Sequence, residues 1–348
     1  MRSLAGLSTA VCVLCIFAAP TLCSAQASYS ITDLGTINPN GYSVAKGVNF
    51  TGGVTGAAGS TSTNSSEVFL YSKGAMTNLG TLGGNSGIGN GINSSGQIAG
   101  YSVNSKNTYR AFTTSGSKLV DIGDLSGGSA VAYAINDVGQ VVGSAVTSDG
   151  SNHPFLYSNG TMTDLGTLGS PAGNSWWNSA QGINNAGVVT GTSYDVHGNF
   201  FGFVWSNGKM TKMGTLGGAW SQAYAINNKG QVVGLAYTRN GLAHGFIANC
   251  ASCALKDLGT MAGSTSTVWA FGINDSGVVV GQSTFSNTYH AFVYSGGKMK
   301  DLNTLIPANS TLHLMGAYSI NDDGEIAGQG CVLPACTEMH AYRLSPKR

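Results

Sequence analysis

The chain has 348 residues, of which 9% are charged and 52 are glycine, with a formal net charge of +1. That length suits one large all-β domain or two ordinary ones, and so low a charge density excludes a charge-driven disordered segment. With no Lys/Arg run and balanced charge, nothing steers the protein toward nucleic acid or an acidic membrane surface.

At the N-terminus, Arg2 supplies a short basic region, an apolar run extends from Leu4 to Ala19, and Ala25-Gln26-Ala27 sets small residues around a cleavage point. This predicts a secretory signal peptide over residues 1–27. The mature chain, 28–348, is then expected to be secreted, in the periplasm or outside the cell, with no membrane span after cleavage. Leu22 before Cys23 does not fit a lipoprotein signal.

The mature chain opens with "YSITDLGT" (Tyr29–Thr36), a strand pattern without a local partner, and then falls into repeats. Three elements recur in order. The first resembles "AINNKGQVVG" (Ala225–Gly234), with its asparagine at Asn49, Asn93, Asn136, Asn184, Asn227, Asn274 and Asn321. The second resembles "HAFVYS" (His290–Ser295), and the third "MTDLGTLG" (Met162–Gly169). The period is about 45 residues, the length of a four-stranded propeller blade. Each unit predicts strand A, an Asn-x-x-Gly turn, strand B, a longer polar connection, strand C, a tight turn and strand D. "LGGNSGIGNGINSSGQIAG" (Leu82–Gly100) is then the D-to-A link, strand A, its turn and strand B. Its glycines serve turns and close packing, and no strand–turn–helix unit surrounds them to make a dinucleotide loop.

The chain ends on a C strand, "HAYRL" (His340–Leu344), with no D strand after it. The orphan D strand at the start fills that vacancy. The expected fold is therefore an all-β, seven-bladed propeller of four-stranded antiparallel blades, closed by the N-terminal strand completing the last blade. A β-solenoid is the structural rival.

The combination "DLGTLGG…AINNKGQVVG…HAFVYS" resembles the HAF-repeat family of bacterial extracellular repeat proteins across essentially the whole mature chain. The resemblance implies export from a bacterium and a repeat fold, and it transfers no catalytic residues. The departures "YRAF" (Tyr109–Phe112), "EVF" (Glu67–Phe69) and Lys212-Met213-Gly214 are expected at tolerant packing positions.

His153, His244, His290 and His340 share one repeat slot and read as structural; His197 and His313 fall outside it. Asp33, Asp121, Asp164, Asp257 and Asp301 occupy the "DLG" slot, and Asp137, Asp275, Asp322 and Asp323 the A–B turns. This leaves Glu67, Asp124, Asp149, Asp195, Glu325 and Glu338, among which no pair is placed for glycoside hydrolysis. Met76, Met162, Met210 and Met299 read as core filling. Cys250 and Cys253 flank a C–D turn while Cys331 and Cys336 lie in a B–C connection, on opposite faces. Two local disulfides are expected rather than a zinc site, and no metal or cofactor.

The B–C and D–A connections share one face and vary in length, the stretches from Asp164 to Asn184 and from Asp301 to Asn321 being the longest. That face carries the candidate ligand-binding residues Trp176, Trp177, Tyr194, Asp195, His197, Trp220 and Trp269, with Tyr237, Phe285 and Tyr289 nearby. The expected function is a secreted, non-catalytic module whose partner is an extracellular carbohydrate or protein. The alternatives are a carbohydrate-active hydrolase or lyase with its site in the central funnel, and a purely structural matrix or surface protein.

Overall fold

The alternation of apolar and small residues in each repeat produces one antiparallel sheet per repeat. In the computed structural model seven such four-stranded sheets follow one another, over residues 42–80, 83–121, 126–164, 179–212, 217–257, 268–301 and 312–346. The structure describes residues 28–60, 62–170, 178–261, 266–285 and 288–347, so the expected signal peptide lies outside the described residues. Among these there is one 3-10 turn, Leu302–Thr304, and no helix long and apolar enough to cross a membrane.

The seventh blade takes its outer strand from the other end of the chain. Tyr29–Gly35 pairs antiparallel with Met339–Pro346, setting Ser30 opposite Ser345 and Ile31 opposite Leu344. The ring is thus closed by backbone hydrogen bonds between the termini, as the offset of the repeats requires, and the edge that an open array would leave is paired.

Cores form between blades. The aromatic of each "HAF" element is fully buried: Phe69, Phe112, Phe155, Phe203, Phe246, Phe292 and Tyr342. Phe292 of blade 6, for example, packs with Val233 of blade 5 as well as with its own Val268 and Ala270. Tyr342, the one tyrosine in the set, donates its hydroxyl to the Gly316 carbonyl at 3.0 Å, which satisfies the only polar atom in that slot.

The motif asparagine does two jobs. Asn227 Oδ1 accepts the Gln231 N–H at 2.9 Å and shapes its own turn, while its Nδ2 donates to the Asn274 carbonyl of the next blade at 2.9 Å. The same side-chain link runs around all seven blades at 2.9–3.2 Å, and Asn321 returns to Asn49. A closed circle of seven hydrogen bonds surrounds the axis.

One expectation is corrected. In blades 2, 3 and 5 the D–A link is not a loop but the first half of a ten-residue strand A: Gly83–Ile92, Ser126–Ile135 and Gly217–Ile226. Glycine is the reason. A side chain at Gly84 would sit 2.6 Å from the Val103 carbonyl oxygen, so the glycine pair lets the link lie directly against strand B.

Candidate functional site

The B–C and D–A connections of the described residues gather on one face, opposite the Asn-x-x-Gly turns. Of the candidates there, Trp176 and Trp177 lie outside the described residues. The others stand as follows. Tyr194 and Phe200 of blade 4 and Trp220 and Tyr237 of blade 5 form one row, the first pair edge-on and the next two tilted by 38°, with successive ring centroids 5.8, 4.4 and 4.1 Å apart. All four are half-buried, and the row crosses the seam between two blades. Trp269 packs edge-on to Tyr289 at 6.3 Å in blade 6, apart from that row.

His197 is exposed, but Asp195 is buried. The Asp195 carboxylate accepts the N–H groups of His197 and Asn199 at 3.0 and 3.1 Å and pairs with the Lys212 ammonium at 3.1 Å. Desolvation works to raise its pKa, yet Lys212 and these N–H groups hold it below the usual 3.8. Its bonding capacity is largely used in shaping the turn that positions Tyr194 and Phe200.

The other acids left over from the repeat pattern are also engaged. Asp124 pairs with Arg110 at 2.6 Å, Glu67 accepts from Asn78 at 2.9 Å, and Asp149 accepts from Thr147 and Ser151. Glu325 accepts from Asn321 and Ser345, and Glu338 lies 4.0 Å from His340. Among the described residues no group of three or more His, Cys, Asp or Glu is placed to hold a metal. Cys250–Cys253 and Cys331–Cys336 are disulfides, which favours an oxidising compartment.

The repeated histidines prove to be half of a clasp. Nδ1 of His153, His244, His290 and His340 donates to the "DLG" aspartate on the next strand, Asp164, Asp257, Asp301 and Asp33 respectively, at 2.6–2.9 Å. The last of these joins the two chain ends. Where the pattern departs, the cross-strand contact is kept: Arg110 replaces the histidine against an unchanged Asp121 at 2.7 Å, while both partners change at Glu67 with Asn78 and at Phe201 under the Lys212 ammonium at 3.6 Å. The expectation of tolerant packing positions is corrected accordingly. The slot accepts other residues as long as the contact between the two strands is kept.

The feature that sequence reasoning missed lies on the axis. Strand A is bulged in every blade: pairing skips from Ala45 to Gly47, from Gly89 to Gly91 and from Ala132 to Ala134, and likewise in the remaining four. A bulge re-aims the extra residue out of the ladder. Here it presents Lys46, Asn90, Tyr133, Gln181, Tyr224, Phe271 and Tyr318 to one axial cavity of about 230 Å³. Val48 and its six isoleucine counterparts floor that cavity and separate it from a second one, of about 180 Å³, inside the asparagine circle.

Lys46 stands out in this ring. Its ammonium lies 3.8 Å from the centroid of the Tyr318 ring, and among the described residues no carboxylate is within ion-pairing distance. Burial without a counter-charge lowers its pKa to about 8. Burial also raises the phenols of Tyr133, Tyr224 and Tyr318, so the cavity walls are neutral around a single cation. In the sequence this column lies three residues before each motif asparagine, where the repeats carry Lys, Asn, Tyr, Gln, Tyr, Phe and Tyr, and its variation alone does not tell that it faces the axis.

No family model matches the chain, and no curated protein does. Solved structures similar to it are propellers. TolB from Acinetobacter baumannii is 14% identical with a TM-score of 0.45, over 73% of this chain and 64% of that one. The BP39L lectin from Burkholderia pseudomallei is 11% identical with a TM-score of 0.43, over 92% and 98%. A fungal lectin from Aleuria aurantia, a six-bladed propeller with fucose recognition, is 12% identical with a TM-score of 0.40, over 81% and 98%. The chain thus spans less than two thirds of that TolB, and these likenesses concern the fold, not the function.

Proposed function

We propose that the protein is a secreted, non-catalytic module of the HAF-repeat type that binds an extracellular carbohydrate through its loop-bearing face. The observation that carries this reading is the half-buried aromatic row Tyr194–Phe200–Trp220–Tyr237. Half-buried aromatic rings beside polar loops offer apolar surface for sugar C–H groups and hydrogen bonds at their rims. A rigid ring holds them, so little ordering cost falls on binding. The engagement of each leftover acid in local bonding favours this over the hydrolase reading, which needs two free carboxylates across a glycosidic bond. Two disulfides and the apolar leader support export to the periplasm or the cell exterior.

The test is a glycan-array and polysaccharide pull-down screen of the exported protein beside Trp220→Ala. Trp220 touches both Phe200 and Tyr237, so its removal breaks the row in the middle. We expect retention on the bound glycan to weaken by about tenfold or more, the scale of one lost anchor. Undiminished binding in Trp220→Ala contradicts the assignment of this face.

A further inference from the structure

The axial cavity on the loop-bearing side has two unlike halves. Tyr224, Phe271 and Tyr318, from consecutive blades, form an aromatic wall with ring centroids 5.5 and 5.4 Å apart. Lys46, Asn90, Tyr133 and Gln181, from the next four blades, form a polar half. Within it each of the two side-chain amides already spends one of its two N–H groups. Asn90 Nδ2 donates to the Ala132 carbonyl at 2.8 Å, and Gln181 Nε2 to Ser179 Oγ at 2.8 Å. Their amide oxygens remain as acceptors, and Lys46 is the one Lys or Arg lining the cavity among the described residues.

Each feature specifies part of a ligand. A desolvated ammonium with no counter-ion is completed by one negative charge. A phosphate dianion would call for a second cation, whereas a carboxylate needs one. The open amide oxygens, each beside a remaining N–H, suit hydroxyl groups on the ligand, which both donate and accept. The aromatic wall suits an apolar C–H face. A volume of about 230 Å³ falls below the ~300 Å³ at which pockets for drug-sized ligands begin, and so holds one ring rather than a chain.

We propose that this axial cavity binds a single acidic sugar, a hexuronate. Its carboxylate lies against Lys46, its hydroxyls donate to Asn90 and Gln181, and its C–H face lies on the Tyr224–Phe271–Tyr318 wall. The inference rests on the carbohydrate-binding reading and sharpens it, since it adds a charge-selective site on the axis of the same face. The seven bulges explain why the site is asymmetric: they aim a column of the repeat that differs from blade to blade into one space.

Calorimetric titration of the exported protein with D-glucuronate, D-galacturonate and D-mannuronate tests it, with the matching neutral hexoses and acetate as controls. At least one hexuronate should bind, with its neutral hexose and acetate each weaker by about tenfold or more, as expected when a buried charge pair is lost. Lys46→Met should reduce that affinity by about the same factor while the protein stays folded; should this variant not fold, Lys46→Gln carries the same expectation. Affinity should also fall as pH rises through about 8, where Lys46 loses its proton. Tyr133, Tyr224 and Tyr318, the other titratable groups facing the cavity, are pushed upward and remain neutral there.

Absence of binding by all three hexuronates overturns the proposal. So does a neutral hexose or acetate that binds as well as the hexuronate, or affinity that survives loss of Lys46. Polysaccharide binding that requires Trp220 but not Lys46 would remove this site and leave the aromatic row. Hexuronate binding that requires Lys46, together with polysaccharide binding undiminished in Trp220→Ala, would remove the row and leave this site.

Discussion

At the residue scale, two kinds of side chain separate structure from function. The His–Asp clasps are bonded and repeated, and the contribution of the His153–Asp164 clasp follows pH. The bond to Asp164 raises the His153 pKa, so that part of the stability is present below the ordinary 6.5 and is lost as pH rises through the raised value. Desolvation works to raise Asp164, but the His153 bond and the Gly166 N–H hold it low, so its part is present above 3.8 and is lost as pH falls through the lowered value. The clasp is therefore strongest between those two ordinary values. Thermal melts of the wild type and His153→Gln should differ most near about pH 5.5 and much less near about pH 9; a gap that is constant with pH would contradict the ion-pair character. Lys46 behaves in the opposite way. Burying an ammonium costs several kcal/mol even after relaxation, and one desolvated cation–π contact returns only about 2 kcal/mol. We expect Lys46→Met to raise unfolding stability by about 1–2 kcal/mol in denaturant titrations, and a destabilised variant would mean that the ammonium has a partner.

At the scale of the strand, glycine content is a consequence of how A and B pack. The bulge in strand A brings its backbone onto a strand-B glycine in every blade: a Cβ at Gly234 would stand 1.9 Å from the Gln222 carbonyl oxygen, and one at Gly100 would stand 2.0 Å from that of Ile88. Because the neighbour is backbone, it cannot rotate away. Gly234→Ala should cost about 3 kcal/mol, the upper end for overpacking, read as a lowered midpoint in denaturant; a neutral substitution would show that the bulge is not held. The sequence made the strands legible through the Asn-x-x-Gly turns and the HAF aromatics, because alternation and turn chemistry are local. It misled at the D–A links, where Gly83-Gly84 and Gly217-Gly218 look like loop residues and are strand. It was silent on the bulge itself, since one extra residue leaves no mark on a period-2 pattern that is broken by glycine throughout. For that reason the loop-face aromatics Tyr194, Trp220 and Trp269 could be nominated from the chain alone, and Lys46 could not.

At the scale of the molecule, a single ring brings together residues far apart in sequence. The circle of asparagine bonds, the shared aliphatic floor and the axial cavity each take one contribution per blade, so none exists in an isolated repeat. Closure was legible because the chain starts on a D strand and stops on a C strand. The chemistry of the axis was not, because it emerges only when seven equivalent positions face one another. Everything proposed for the loop-bearing face depends on that closure. The most direct test is an engineered cross-link between the register partners Ser30 and Ser345, which already share a hydrogen bond from Ser30 Oγ to the Ser345 carbonyl at 3.2 Å. On oxidation, Ser30→Cys/Ser345→Cys should form an intramolecular disulfide, seen by non-reducing peptide mass mapping, and should gain about 4 kcal/mol from closing so long a loop. Failure of the two cysteines to join, or joining only between separate molecules, would contradict the closed ring and the axial site with it.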